Sequence, residues 1–67
     1  MRVTLKHVKD TFLLDLPDGA TVAQAMAAQG IADEDVGFAV IEGGAVRKDY
    51  VLKDGDTVML YPAIVGG

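Results

Sequence analysis

The chain has 67 residues, 51% of them hydrophobic, with a formal net charge of −4 and no cysteine. This length allows one domain, and the apolar content argues against disorder. The missing thiol excludes disulfides, iron–sulfur clusters and a cysteine nucleophile, while the negative charge disfavours nucleic acid and membrane surfaces as partners.

No apolar run approaches the roughly 20 residues that span a membrane. Residues 1–6 alternate between apolar and polar side chains, which is not the pattern of a signal peptide. We therefore expect a cytoplasmic protein.

The first 19 residues predict a β-hairpin. Alternation over residues 1–6, extended by His7 and Val8, is typical of a half-buried strand. The segment 9–11 reads as a turn, and alternation resumes at Phe12 for a second strand. Pro17-Asp18-Gly19 has strong turn chemistry and ends it.

A short helix follows. Thr21 and Gln24 have the spacing of a capping box, and residues 23–29 are strong helix formers. Gly30 is well placed for the left-handed residue after the last turn. The helix face predicted to pack on a sheet carries Val22, Ala25 and Met26.

The second half of the chain reads as short strands and turns. Phe38-Ala39-Val40-Ile41 is continuously apolar, which predicts a strand buried on both faces. The other predicted elements are a loop or single turn at 33–35, a turn at 42–44, a short strand at 45–47, a connector at 48–53 with Tyr50 and Leu52 as anchors, a turn at 54–56 and a last strand at 57–61.

Two hairpins flanking one crossover helix predict an α+β fold, with a mixed sheet of four to five strands and one main helix across one face. The first and last strands are expected to lie side by side and parallel in its middle. We assign residues 1–62 to this domain and residues 63–67 to a flexible C-terminal tail.

The tail is Ala63-Ile64-Val65-Gly66-Gly67, after a proline that cannot donate a ladder hydrogen bond. None of its side chains is reactive, so the expected working group is the α-carboxylate of Gly67. Glycine has no Cβ atom, so two glycines in a row form a narrow segment that can enter a narrow active site. A Gly-Gly pair alone is weak evidence for a reactive C-terminus, because disordered chain ends that contain glycine are common.

In combination, these features resemble the ubiquitin-like β-grasp proteins, and within them the ThiS/MoaD sulfur carriers. The resemblance covers nearly the whole chain: the opening hairpin, Ala20-Thr21-Val22 at the helix start, the glycine turn after Val40-Ile41, the stretch Leu52-Lys53-Asp54-Gly55-Asp56-Thr57-Val58, and terminal Gly66-Gly67. The turn Glu42-Gly43-Gly44 stands where many relatives have Asn-Gly.

The resemblance implies a β-grasp fold and a mechanism. A ubiquitin-activating-type enzyme would adenylate the carboxylate of Gly67 with ATP, and sulfur from a donor enzyme would displace AMP to leave a thiocarboxylate. A downstream synthase subunit would receive the sulfur. The chain would bind no cofactor itself and would act as a carrier, not an enzyme. Its short length resembles the thiamine-pathway carriers, whereas Tyr61-Pro62 resembles the molybdopterin-synthase small subunit, so the pathway stays open.

Partner binding needs exposed apolar surface. Met59, Tyr61 and Ile64 are candidates for a patch on the face opposite the helix or along the tail, weighed evenly against ordinary core filling. The full set of predicted partner-binding residues is Met59, Tyr61, Pro62, Ile64, Val65 and Gly66. Two alternative functions use the same fold: a protein modifier conjugated through Gly67, and an interaction module with an inert tail.

Other candidate sites are weak. His7 is the only histidine and is better explained as a strand-end residue than as a metal ligand or general base. Asp54 and Asp56 supply two metal ligands at most, so turn roles are favoured. The chain contains no serine, which excludes a serine nucleophile.

Overall fold

Five strands form one mixed sheet, with an α-helix against one of its faces, in a computed structural model that describes residues 1–62. The elements are β1 (Arg2–His7), β2 (Asp10–Asp15), α1 (Val22–Gln29), a 3-10 turn (Asp33–Asp35), β3 (Phe38–Ile41), β4 (Gly44–Val46) and β5 (Thr57–Tyr61). The strand order is β2-β1-β5-β3-β4, and β1 pairs with β5 in parallel at the centre. The predicted α+β fold is confirmed.

Residues 63–67 lie outside the described residues, so the predicted division at residue 62 stays a prediction. Within residues 1–62, no helix is long and apolar enough to cross a membrane.

The core lies between α1 and the helix-facing side of the sheet. Leu5 and Val58, on the two central strands, are fully buried, and so are Val22 and Ala25 of the helix. The core consists of Val3, Leu5, Leu16, Ala20, Val22, Ala25, Met26, Val36, Ala39, Ile41, Leu52, Val58 and Leu60. The predicted apolar helix face is therefore correct.

Both ends of α1 have the predicted caps. The Thr21 hydroxyl accepts a hydrogen bond from the Gln24 backbone N–H (3.2 Å), and the Gln24 side-chain oxygen accepts from the Thr21 N–H (2.8 Å). Gly30 takes a left-handed conformation with φ 78°, and the Ile31 N–H donates to the Met26 carbonyl (2.9 Å). Groups that a helix leaves unpaired at its ends are thus satisfied locally.

The first hairpin turns earlier than predicted. Its turn residues are Val8 and Lys9, and β2 starts at Asp10, opposite His7. The turn assigned to residues 9–11 was wrong because alternation locates a strand but does not fix its register. This register pairs Leu5 with Phe12, which places both side chains on the helix-facing side.

The Asp54-Gly55-Asp56 turn directly precedes β5 and is hydrogen-bonded to the start of β1. The Asp54 carboxylate accepts from the Arg2 backbone N–H (2.7 Å), and the Gly55 N–H donates to the Arg2 carbonyl (2.8 Å). The Asp56 carboxylate accepts from the Lys53 N–H (2.9 Å). The predicted turn roles of the two aspartates are confirmed, and the turn fixes where β5 enters the sheet beside β1.

Candidate functional site

The side chains of β5 alternate between the core and the opposite, helix-free side of the sheet, here called the open face. Val58 and Leu60 are buried, whereas Met59 and Tyr61 are 39% and 38% exposed. The structure thus places both predicted partner-binding residues of the last strand on the open face. Their binding role stays a prediction.

Two β3 side chains complete an apolar surface around them. The Phe38 ring stacks on the Tyr61 ring with centroids 4.9 Å apart and planes 12° from parallel. Val40 is paired with Met59 across the same two strands. These four residues, Phe38, Val40, Met59 and Tyr61, are the open-face patch. Contiguous exposed apolar surfaces are a common feature of interaction sites, so the patch is a candidate docking surface.

The sequence reasoning missed Phe38 and Val40. It predicted β3 to be buried on both faces, which is wrong: Ala39 and Ile41 are buried, but Phe38 is 47% exposed. The physical reason is that one short helix covers one side of a sheet only, so alternate residues of every strand face away from it. Counting a single helix in the predicted order would have indicated this.

The patch lies where β5 ends. The Gly37 N–H donates to the Tyr61 carbonyl (2.8 Å), which holds the last residue of the strand. Pro62 follows, exposed and outside the strand, as its missing N–H predicts. The other predicted site residues, Ile64, Val65, Gly66 and Gly67, lie outside the described residues.

Cations border the patch although the chain is acidic. Lys6 is exposed and paired with Met59 on the open face. An open groove of about 470 Å³ beside Phe38 is lined by Gly37, Phe38, Val46, Arg47, Lys48 and Asp49. The Lys48 ammonium lies 2.7 Å from an Asp33 carboxylate oxygen. Arg47 is exposed, and no carboxylate of residues 1–62 lies within 4.0 Å of its guanidinium.

No metal centre is apparent in the described part of the chain. Among residues 1–62 no three His, Cys, Asp or Glu side chains are grouped so as to hold an ion. His7 is the last residue of β1, as expected of a strand-end histidine. Among the described residues, the open-face patch is therefore the candidate functional site.

Comparison with known proteins agrees with this architecture. A family model described as Mut7-C ubiquitin matches residues 3–65. The crystal structure of SAMP1 from Haloferax volcanii superposes with a TM-score of 0.75 at 20% identity, covering 100% of both chains. The structure of a ubiquitin-like protein from the hyperthermophilic archaea Caldiarchaeum subterraneum superposes with a TM-score of 0.59 at 20% identity. The match covers 98% of this chain and 100% of that protein's chain. No curated protein matches.

The two structural likenesses show the β-grasp fold, and together with the family match they confirm the resemblance to ThiS/MoaD-type ubiquitin-like proteins. A small ubiquitin-like fold is typical of carriers and modifiers and not of catalysts.

Proposed function

We propose that this chain, which belongs to the Mut7-C ubiquitin family, is a ubiquitin-like sulfur carrier that reacts through the α-carboxylate of Gly67. The acceptor of the sulfur is a cofactor precursor of molybdopterin or thiamine type, held by a downstream synthase subunit. The carrier is a substrate of its partner enzymes.

The observation that carries the proposal is the position of the open-face patch. Tyr61 is both a patch residue and the last residue of β5, and the tail begins right after Pro62. A partner seated on the patch is therefore close to the start of the tail. The end of β5 is held by pairing with both neighbouring strands, Leu60 with His7 of β1 and Tyr61 with Phe38 of β3.

The length and composition of the tail support the same use. Five residues of extended chain span at most about 17 Å, which is enough to enter an enzyme cleft while the patch docks outside it. Glycines at positions 66 and 67 present no Cβ to the walls of such a cleft. Docking of the folded domain would offset the cost of ordering the tail.

The chemistry needs no side chain of the carrier. A Gly67 carboxylate oxygen attacks the α-phosphorus of ATP, which the activating enzyme binds, and pyrophosphate leaves. Hydrosulfide then attacks the acyl carbon and AMP leaves, giving the thiocarboxylate. With a persulfide donor, the acyl persulfide formed is cleaved by a thiol, which is oxidised to a disulfide. AMP makes a carboxylate oxygen a good leaving group, so a carboxylate suffices as the reacting group.

The test is the intact mass of the untagged protein after incubation with an extract of its source cells, ATP and sulfide. We expect a mass increase equal to one oxygen replaced by sulfur, and no increase for a variant lacking Gly67. An unchanged mass, in an extract that converts a known carrier, would contradict the proposal.

Two further observations distinguish the alternatives. A protein modifier would give adducts joined to target lysines by isopeptide bonds, with no sulfur-containing form. An interaction module with an inert tail would remain active in cells after deletion of Gly66 and Gly67, whereas a carrier or modifier would lose all activity.

A further inference from the structure

The sheet has two outer edges, formed by β2 and β4. A strand at an edge presents backbone N–H and C=O groups to any chain that can pair with them. Which groups face outward follows from the register of each hairpin.

In the first hairpin, the His7–Asp10 pair closes a two-residue turn and is therefore hydrogen-bonded. Partners alternate along an antiparallel ladder, so every second residue of β2 bonds to β1. The hydrogen bond from the Leu16 N–H to the Met1 carbonyl (2.8 Å) fits this alternation, because Leu16 follows Asp10 by an even number of residues. The backbone groups of Thr11, Leu13 and Asp15 therefore point away from the sheet, with no backbone partner among residues 1–62.

The β4 edge offers much less. It has three residues, and the Ile41–Gly44 pair closes its turn. Alternation then leaves only Ala45 of this strand with outward backbone groups. A short edge strand is itself a protection against unwanted pairing.

The β2 edge lacks such protection. It has six residues, with no proline or lysine among them. Leu13 lies in its middle with 72% of its surface exposed. On the open face Leu13 is paired with Thr4, on the opposite side of β1 from the open-face patch. The edge is thus separate from the open-face patch, with one exposed apolar side chain and three free backbone positions.

Charge indicates the kind of strand that fits. Asp10 and Asp15 occupy the two ends of β2, and Asp18 follows, 98% exposed at its side chain. Arg2 lies 3.3 Å from Asp15, but both side chains are mostly exposed and such pairs contribute little. A strand with basic residues at its ends complements this edge.

A second copy of the chain fits poorly. Each copy carries a net charge of −4, so two copies repel.

We propose that the outer edge of β2 binds an extended segment of a partner protein, in which alternating apolar residues are flanked by lysine or arginine. The segment adds a sixth strand beside Thr11, Leu13 and Asp15. This binding is independent of the tail and of the open-face patch.

The test is an NMR titration of the ¹⁵N-labelled full chain with a blocked peptide, Lys-Thr-Val-Thr-Val-Lys, whose end lysines lie on opposite faces of a strand, as Asp10 and Asp15 do. We expect the largest amide shifts, and newly slowed solvent exchange, at Thr11, Leu13 and Asp15. The same peptide with glutamate at both ends should bind about tenfold more weakly, because two attractive charge contacts become repulsive.

Variants at one position separate backbone pairing from side-chain contact. Leu13→Pro removes an outward N–H without touching the bonds to β1, and should lower affinity at least tenfold; Leu13→Ala keeps the N–H and loses only side-chain contact, so it should lower affinity much less. Asp10→Lys, which leaves the ladder intact, should reduce or reverse the preference for the lysine-flanked peptide.

Three results would overturn the proposal. One is a folded Leu13→Pro protein that binds the peptide normally. Another is a set of shifts centred on Phe38, Met59 and Tyr61. The third is concentration-dependent dimerisation through the same three β2 amides without peptide, which would assign the edge to a second copy.

Discussion

The two faces of the sheet differ although the same strands build them. Along β5, Val58 is completely buried against the helix side, while its neighbour Met59 is 39% exposed on the open face. Side chains of a strand alternate between faces, so one strand can serve folding and binding at once. The difference teaches that stability and partner recognition in this chain should be separable by substitutions one residue apart.

The largest expected effect is on the helix-covered face. Leu60→Ala should lower the free energy of unfolding by about 3 kcal/mol, because it removes packed methyl groups and leaves a cavity. Met59→Ala, one residue earlier on the open face, should cost less than about 1 kcal/mol. Urea denaturation followed by circular dichroism measures both.

Similar losses for the two variants would contradict this division between the faces. The comparison is well matched because both residues lie within β5 and both are paired with β3, Leu60 with Ala39 and Met59 with Val40.

The second prediction concerns function on the open face. Met59→Glu puts a charge in the middle of the open-face patch, beside Lys6, which can accommodate it. We expect conversion to the thiocarboxylate form to fall about thirtyfold, equivalent to the loss of about 2 kcal/mol at the centre of an interface. Stability should change by less than about 1 kcal/mol. The rate of the mass increase and a urea midpoint are the two measurements.

Thr57→Glu is the control for this variant. Thr57 is exposed, lies on the same strand and face, and is paired with Thr4, away from the aromatic pair. Equal loss of conversion in both variants would show that charge on β5 is harmful in general and that the patch is not the docking surface.

The third prediction tests the helix that makes the two faces different. Thr21→Ala removes the hydroxyl that accepts from the Gln24 N–H, and should cost about 1 kcal/mol. Thr21→Ser keeps the acceptor and should cost much less. Neither variant should alter the rate of thiocarboxylate formation under conditions where the protein is folded. A rate that fell with Thr21→Ala in the folded protein would mean that α1 also contacts the partner.

Sequence reasoning succeeded where the signal was local. The Thr21–Gln24 spacing predicted the start of α1, and Gly30 predicted its end, because capping hydrogen bonds join residues three to five apart. The parallel pairing of β1 with β5 followed from the element order and the single crossover helix.

It failed where the answer depended on distant partners. The run 38–41 is apolar throughout, so nothing within it distinguishes buried Ala39 from exposed Phe38. Their burial depends on which face of the sheet α1 covers. The register of the first hairpin was set by which β2 residues meet Leu5 and Val3, not by the composition of the turn. The open-face patch arises from the pairing of β3 with β5, two segments far apart in sequence.

The smallest expected effect is at the turn that this register creates. Val8 has φ 54° and is 73% exposed. A β-branched residue with positive φ is strained by about 1–2 kcal/mol, whereas glycine adopts this conformation freely. Glycine also gives the unfolded chain more freedom, which offsets part of the gain. Val8→Gly should therefore stabilise the protein by about 0.5 kcal/mol, which is an increase of roughly 2–4 °C in Tm.

Val51→Gly makes the same chemical change at another exposed valine, 53% accessible, whose φ is not positive. There glycine relieves no strain and only adds freedom to the unfolded chain, so Tm should fall. A rise in Tm for Val8→Gly and a fall for Val51→Gly would show that the backbone conformation of Val8 destabilises the native protein. Val8 belongs neither to the core nor to the open-face patch. Its replacement should therefore raise stability and leave the rate of thiocarboxylate formation unchanged, so that stability and partner recognition are separable at the turn as well.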